Sequence, residues 1–175
     1  MNTLLKEQLL FIRRGGETQR FHSVLTIQAD TVGHHSFGVA WWLWLMTGGA
    51  ARTELIMAGL AHDLSEHQIG DIPAPVKRAL GDARAQIHKM ESQLLQAVGL
   101  AFELTETEQR QLKLADALDG MMFCIRERTL GNLEIVSIYE KFYSYAKERL
   151  DGRDAFRDEE ELLYTVNKLW KEISL

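Results

Sequence analysis

Along almost the whole chain, apolar residues recur three and four positions apart, the spacing of one helix face, not the alternation of a strand. Leu4, Leu5, Leu9 and Ile12 predict a first helix over 3–12. From Arg13 to Val32 the pattern breaks at Gly15-Gly16 and turns polar, which predicts a long loop. Loops of that length tend to carry function. A second helix is expected over 33–47, stopped by Gly48-Gly49, and a third from Arg52 to about Leu64. Gly70 and the only two prolines, Pro73 and Pro75, then force a turn, with one short helical turn over 76–80.

A fourth helix fits 84–98, and Gly99 is a natural stop. Thr105 followed three residues on by Glu108 has the spacing of a capping box. It opens a long fifth helix through Gln111, Leu114, Leu118, Met122 and Ile125, interrupted at Gly131. Two further helices are expected over 133–149 and 157–172. No segment alternates long enough to require a sheet, and no repeat or linker divides the chain. The expectation is an all-α fold, one domain over 1–175.

Composition narrows the classes of function. The 175 residues, 46% hydrophobic, suffice for one packed core. A net charge of -5 gives no global positive field to draw nucleic acid or an anionic membrane. The lone Cys124 forms no internal disulfide, which suits a reducing cytoplasm. Lys6 and Glu7 interrupt the apolar N-terminus, so it lacks the run of a signal peptide. The most apolar stretch, FGVAWWLWLM at Phe37–Met46, is too short to span a bilayer. It reads as a buried helix whose tryptophans reach an interface.

Against this background, AHDLSEHQIGD at Ala61–Asp71 stands out, with two histidines and three carboxylates directly after an apolar helix. Burying such groups unpaired is costly. Either they cluster at the surface or a cation sits among them. His35 lies at the end of the apolar face His35-Val39-Trp42-Met46, and Asp116 sits on the long fifth helix in LKLADALDG. His35, His62, Asp63 and Asp116 would bring two imidazoles and two carboxylates from three packed helices. That donor set suits Zn, Mn, Co or Fe without choosing among them. The plain alternative is a chance His-Asp pair whose carboxylates bond to Lys or Arg.

The ordered H…HD…D set, with QRF at Gln19–Phe21, GHHSFGVA at Gly33–Ala40, AHDLSEHQIGDIPAPVK at Ala61–Lys77 and LKLADALDG at Leu112–Gly120, resembles the HD-domain phosphohydrolases. The likeness covers about residues 18–125, and it is greatest to the small 5'-deoxynucleotidase branch and to phage dATP triphosphohydrolases. It implies a helical HD-domain fold with His35, His62, Asp63 and Asp116 as metal ligands, holding Zn, Co or Mn with room for an additional Mg. It assigns Glu66 and Asp71 to preparing water and managing protons. Arg20, Phe21 and Lys77 match substrate-binding positions, and Lys113, one turn from Asp116, is within reach of phosphate. Arg13, Arg14, Arg78, Arg84 and Lys89 supply further positive charge. Two departures are notable: His34-His35-Ser36 replaces the usual Glu-His-Ser, and Phe21 stands where Trp is frequent. Ser36 places the ligand at His35, leaving His34 outside the metal shell.

The resemblance implies hydrolysis of dATP to deoxyadenosine and triphosphate. Its alternatives are a broader 5'-deoxynucleotidase acting on monophosphates and a non-catalytic nucleotide-binding protein. The same likeness implies a homo-oligomer, a dimer or a hexamer, in the cytoplasm, that of the host if the chain is viral. Trp41, Trp42, Trp44, Phe142, Tyr143, Tyr145 and Trp170 are more large aromatics than one small core is expected to hide.

Overall fold

The computed structural model describes residues 3–81, 83–150 and 157–173. In chain order the elements are α1 (Thr3–Gly16), β1 (Gln19–Arg20), β2 (Asp30–Thr31), α2 (Val32–Met46), α3 (Thr53–Ala61), α4 (Glu66–Ile69), α5 (Ala74–Ala79), α6 (Ala83–Ala97), α7 (Glu106–Thr129), α8 (Val136–Leu150) and α9 (Arg157–Glu172). The helices are those the periodicity predicts, with the short α4 added.

The expected long loop is only partly a loop. The helix α1 runs on through both glycines to Gly16. Crowding explains why glycines stand there: a Cβ at Gly15 would lie 2.6 Å from the Leu64 carbonyl oxygen, and one at Gly33 would lie 2.9 Å from that of Gly16. The end of α1 thus packs directly on the segment after His62-Asp63. Beyond it, the chain forms a two-residue antiparallel ladder, Gln19 opposite Thr31 and Arg20 opposite Asp30. The intervening loop is tied down by Glu127 of α7, which is fully buried. Its carboxylate accepts the backbone N–H groups of Ile27 (2.7 Å) and Gln28 (2.8 Å) and the Asn132 side-chain amide (2.8 Å). Those bonds hold its pKa below the usual glutamate value although burial opposes the charge.

The core lies where α7 packs against α2, α3, α8 and α9. Val39, Leu43, Leu55, Leu114, Leu118, Met121 and Ile135 are almost completely buried there. Aromatic residues divide between the two ends of the chain. Trp170 stacks on Tyr139 at 3.8 Å and Phe142 is partly buried against the core, so the C-terminal aromatics fill the interior. On α2 the opposite holds: Phe37, Trp41 and Trp44 are 59%, 52% and 44% exposed. Hence α2 is buried along one stripe only, which the uniformly apolar sequence FGVAWWLWLM concealed. The helix α9 is locked to α7 by a buried ion pair, with Arg110 Nη1 and Nη2 donating to Glu159 at 2.6 and 2.9 Å. Among the described residues, no helix is long and apolar enough to cross a membrane.

The capping box at the start of α7 is present as predicted. Glu108 accepts the Thr105 backbone N–H at 2.9 Å and two bonds from Arg52, at 2.7 and 2.8 Å. The Arg52 bonds, then the Thr105 N–H, lower the Glu108 pKa from 4.5 to about 2. A depressed carboxylate pKa stabilises the fold fully above the unfolded value, and the benefit is lost as pH falls through the folded one. Glu108→Ala is expected to cost roughly 1 kcal/mol at neutral pH, the usual worth of a cap. In denaturant melts, the difference from wild type should shrink between about pH 4.5 and pH 2. A gap that stays constant over that range would show that the charge on Glu108 contributes nothing.

Candidate metal centre

Four helix ends and turns bring the ionisable residues together. Thr31 ends β2 in an extended conformation and caps α2, its hydroxyl accepting the His34 N–H at 3.3 Å. This fixes His35 in the first turn of α2, on the buried face above Val39 and Met46. The next helix, α3, stops at His62, and Asp63 follows in the turn that leads into α4. Glu66 opens α4. Asp116 projects from the middle of α7, opposite the start of α2.

His35 Nε2, His62 Nε2 and an Asp116 carboxylate oxygen all lie within 4.8 Å of one another. Asp63 joins them, its Oδ2 standing 3.3 Å from His62 Nε2 and 3.7 Å from His35 Nε2. Both imidazoles spend the other ring nitrogen elsewhere: His35 Nδ1 lies 2.7 Å from Asp119 Oδ2, and His62 Nδ1 lies 2.8 Å from the Gly59 carbonyl. Both Nε2 atoms are buried, with no well-directed hydrogen bond. Buried polar atoms are rarely left without a partner. Two such nitrogens converging with two carboxylates form a donor set of the kind that holds a divalent cation.

Electrostatics agree. Burial disfavours charge on both imidazoles, yet their pKa values are raised. For His62, Asp63 is the main opposing cause and lifts the value to about 9. For His35, Arg20 also disfavours charge, and the neighbouring Asp116 and Asp119 carboxylates outweigh both effects. Asp63 and Asp116 are shifted down by the same histidines although burial resists. Without a cation, the carboxylates favour proton uptake by the two imidazoles, and a metal would compete with those protons.

The other predicted residues surround this knot. Glu66 is buried, with Oε1 3.7 Å from Lys77 Nζ and Oε2 unpartnered. Burial first, then the charges of Asp63 and Asp71, push its pKa up to about 9. Asp71 faces His22 at 3.6 Å. Arg20 spans Asp30 at 3.4 Å and Asp116 at 4.0 Å. Phe21, at a left-handed φ of 55°, stacks on Phe123 at 4.3 Å, with the Arg20 guanidinium 5.3 Å from its centroid. His34 faces largely to solvent and pairs with Asp30 at 3.1 Å, whereas His35 is buried at the cluster. Lys113 is exposed on α7. Arg13 pairs with Glu17 at 2.8 Å and Arg84 with His88 at 3.3 Å, both at the exposed surface; the Arg78 side chain lies outside the described residues.

Three neighbours escaped the sequence reading. Asp119 sits one turn beyond Asp116, and that i, i+3 spacing was its only sequence signal. Asp30 is buried between Arg20 and His34, a place visible only once the ladder of β1 and β2 is formed. Glu91 of α6 reaches Lys77 at 3.3 Å across a long sequence separation. Cys124, deeply buried with its thiol pushed up to about 12, takes no part in this chemistry.

Comparisons with known proteins agree on the family and the fold. Residues 9–162 match the family model for YfbR-like 5'-deoxynucleotidases. The chain is 26% identical over 172 residues to a 5'-deoxynucleotidase of Vibrio vulnificus, covering 85% of this chain and 84% of that one. It is 27% identical over 169 residues to the 5'-deoxynucleotidase of Vibrio cholerae, covering 83% of each. In fold it is similar to the cyanophage S-2L HD phosphohydrolase DatZ, solved with dA and one catalytic Zn2+ ion. That match has a TM-score of 0.68 and 19% identity, and covers 94% of this chain and 96% of that one.

Proposed function

This chain belongs to the YfbR-like 5'-deoxynucleotidase family of HD-domain phosphohydrolases, and from that premise we propose that it cleaves the 5'-phosphoester of deoxynucleoside monophosphates. In this reading His35, His62, Asp63 and Asp116 are the metal ligands. The observation that carries it is the convergence of two buried imidazole nitrogens, neither in a well-directed hydrogen bond, with two carboxylates beside the buried Glu66. Zn, Mn or Co suits two nitrogen and two oxygen donors. An additional Mg would be held mainly through substrate phosphate oxygens. When bound, the ion supplies Lewis acidity, lowering the pKa of water and polarising the phosphoryl group.

The chain's own residues do the rest. Glu66 takes the proton of the attacking water once a cation beside it, opposing the burial and the carboxylates that favour its neutral form, holds it ionised. The charge of Asp71 helps raise that basicity, and the proton taken from water is returned to the departing 5'-oxygen, which leaves as the deoxynucleoside hydroxyl. Arg20 and Lys77 offset phosphate charge, and Lys113 is the outermost contact. Phe21, held against Phe123, provides an apolar wall for the deoxyribose, where an added hydroxyl would lose water without compensation.

Charge count supports a monophosphate over dATP. Among the described residues, Arg20 pairs with Asp116 and Lys77 with Glu66, so each already shares its charge with a central carboxylate. Arg13 and Arg84 are engaged elsewhere on the surface. Incubation of the metal-loaded protein with dAMP, dTMP and dATP, followed by product separation, tests this. Orthophosphate from the monophosphates is expected. Triphosphate and deoxyadenosine as the main products would instead support the dATP reading drawn from the sequence.

The exposed aromatics of α2 belong to the same reading. Of these, Phe37 and Trp41, together with Trp42, Leu45 and Met122, line a trough of about 440 Å³ that one chain leaves open. A second copy of this chain covers it in our proposal, since aromatic clusters are typical interface anchors. Light scattering at micromolar protein should give at least a dimer. A strictly monomeric mass would refute it.

A further inference from the structure

The geometry points to Asp119 as a positioning residue: we propose that its carboxylate fixes the tautomer and ring orientation of His35, so that Nε2 faces the other three ligands. The inference rests on the metal-site reading above and can fail separately from it.

Three observations carry it. First, Asp119 Oδ2 lies 2.7 Å from Nδ1 of the fully buried His35, a short, charge-assisted distance. With Nδ1 protonated and donating, the neutral imidazole keeps its lone pair on Nε2. Second, Asp116 and Asp119 are three residues apart on α7 and therefore lie on one face. They straddle the ring from a single helix, with Asp116 Oδ1 3.1 Å from Nε2 and Asp119 on the opposite edge. Asp119 is thereby kept from the cation and occupied with orientation. Third, α2 makes room for it. A Cβ at Gly38 would overlap Asp119, with Oδ1 only 1.8 Å away. Glycine in a helix interior costs about 1 kcal/mol relative to alanine, so close passage of the carboxylate accounts for its presence.

His62 shows by contrast why the matter is open to experiment. Its Nδ1 bonds to a backbone carbonyl, that of Gly59, which no substitution removes. His35 depends on a side chain. Partners of metal-bound histidines that accept the second ring N–H typically contribute 10–100-fold to metal affinity.

The test compares Asp119→Ala, Asp119→Asn, Gly38→Ala and His35→Ala. Zn2+ affinity is measured by competition with a chromophoric chelator, and the histidine Nδ1–H protons of the zinc-loaded proteins are followed by NMR. Asp119→Ala should bind Zn2+ about 10–100-fold more weakly and lose the slowly exchanging His35 Nδ1–H signal. Asp119→Asn, which keeps an acceptor, should retain that signal with an intermediate loss. Gly38→Ala, which pushes the carboxylate away without touching it, should weaken Zn2+ binding as well. If Asp119→Ala does not fold, the Asn and Gly38→Ala variants decide the question. Unchanged affinity with the His35 signal intact in a folded Asp119→Ala or Gly38→Ala protein would overturn the proposal, as would an Asn variant no better than Ala. Zn2+ binding in His35→Ala as tight as in wild type would overturn the metal-site reading itself.

Discussion

Asp63→Ala and Asp116→Ala are each expected to lose bound metal and turnover together, leaving less than about 1% of wild-type rate. A bound ion supplies several kcal/mol of transition-state charge stabilisation, and about 2.7 kcal/mol already corresponds to a hundredfold. The two carboxylates stand on different elements, the turn after α3 and the middle of α7, so each substitution opens the site from a different side. Both have lowered pKa values through their histidines, which means that they stabilise the metal-free fold above the ordinary aspartate pKa of 3.8. Each variant should therefore melt somewhat lower without metal, yet remain folded, because neither side chain belongs to the apolar core. The distinguishing readout is the response to added metal. Wild type should melt higher as metal is added, and the variants should not respond, since only binding to the native state shifts the midpoint. A variant that keeps both the metal-induced shift and the rate would remove that residue from the ligand set.

Glu66→Gln should separate catalysis from binding. The change keeps shape and one acceptor and removes the proton-accepting oxygen, so kcat is expected to fall by about 10²–10⁴, the usual worth of general acid–base catalysis. Metal affinity should stay within a few-fold, because Glu66 is placed beside the ligands and not among them. Stability offers an independent check. A carboxyl group raised from 4.5 to about 9 makes the fold lose stability as pH rises between those values. The Gln variant, which cannot ionise, should thus be at least as stable as wild type at neutral pH and above. Unchanged kcat at saturating substrate and metal would exclude the catalytic role. A loss of stability at pH 8 would contradict the buried, carboxylate-crowded environment.

The fold was legible because its signals are local. Helical periodicity, the Thr105–Glu108 capping box and the stops at Gly48, Gly99 and Gly131 are all written within one turn of where they act. What escaped depended on contacts between distant segments. Gly15 and Gly16 read as a helix breaker, yet α1 runs through them, and Gly15 is glycine because Leu64 approaches too closely for a side chain. The ladder of β1 and β2 is two residues long, below any alternation a sequence can show. In the site, the HD pair, His35 and Asp116 could be named from order and motif, and the structure brings their side chains together. The choice of His35 over His34 rested on the Ser36 that follows it and on the register of the apolar face; His35 is buried at the cluster, whereas His34 is largely exposed. Phe21 was expected beside the sugar; its stacking on Phe123 and its positive φ were not foreseeable from the residue type. Asp30, Glu91 and Asp119 were missed since isolated carboxylates on helices and loops are ordinarily solvated. Only the packed helices reveal which ones face a histidine or lysine.

The account turns most directly on whether deoxynucleotide hydrolysis follows occupancy of the histidine–aspartate cluster. Protein stripped with a chelator and titrated with Zn2+, Mn2+ or Co2+ can be assayed for orthophosphate release from dAMP at each step. The predicted result is no turnover in the stripped protein and a rate that rises with bound metal, saturating at about one ion per chain. Turnover in the fully stripped protein equal to that of the loaded one, or a folded, fully loaded protein that hydrolyses no deoxynucleotide, would contradict it.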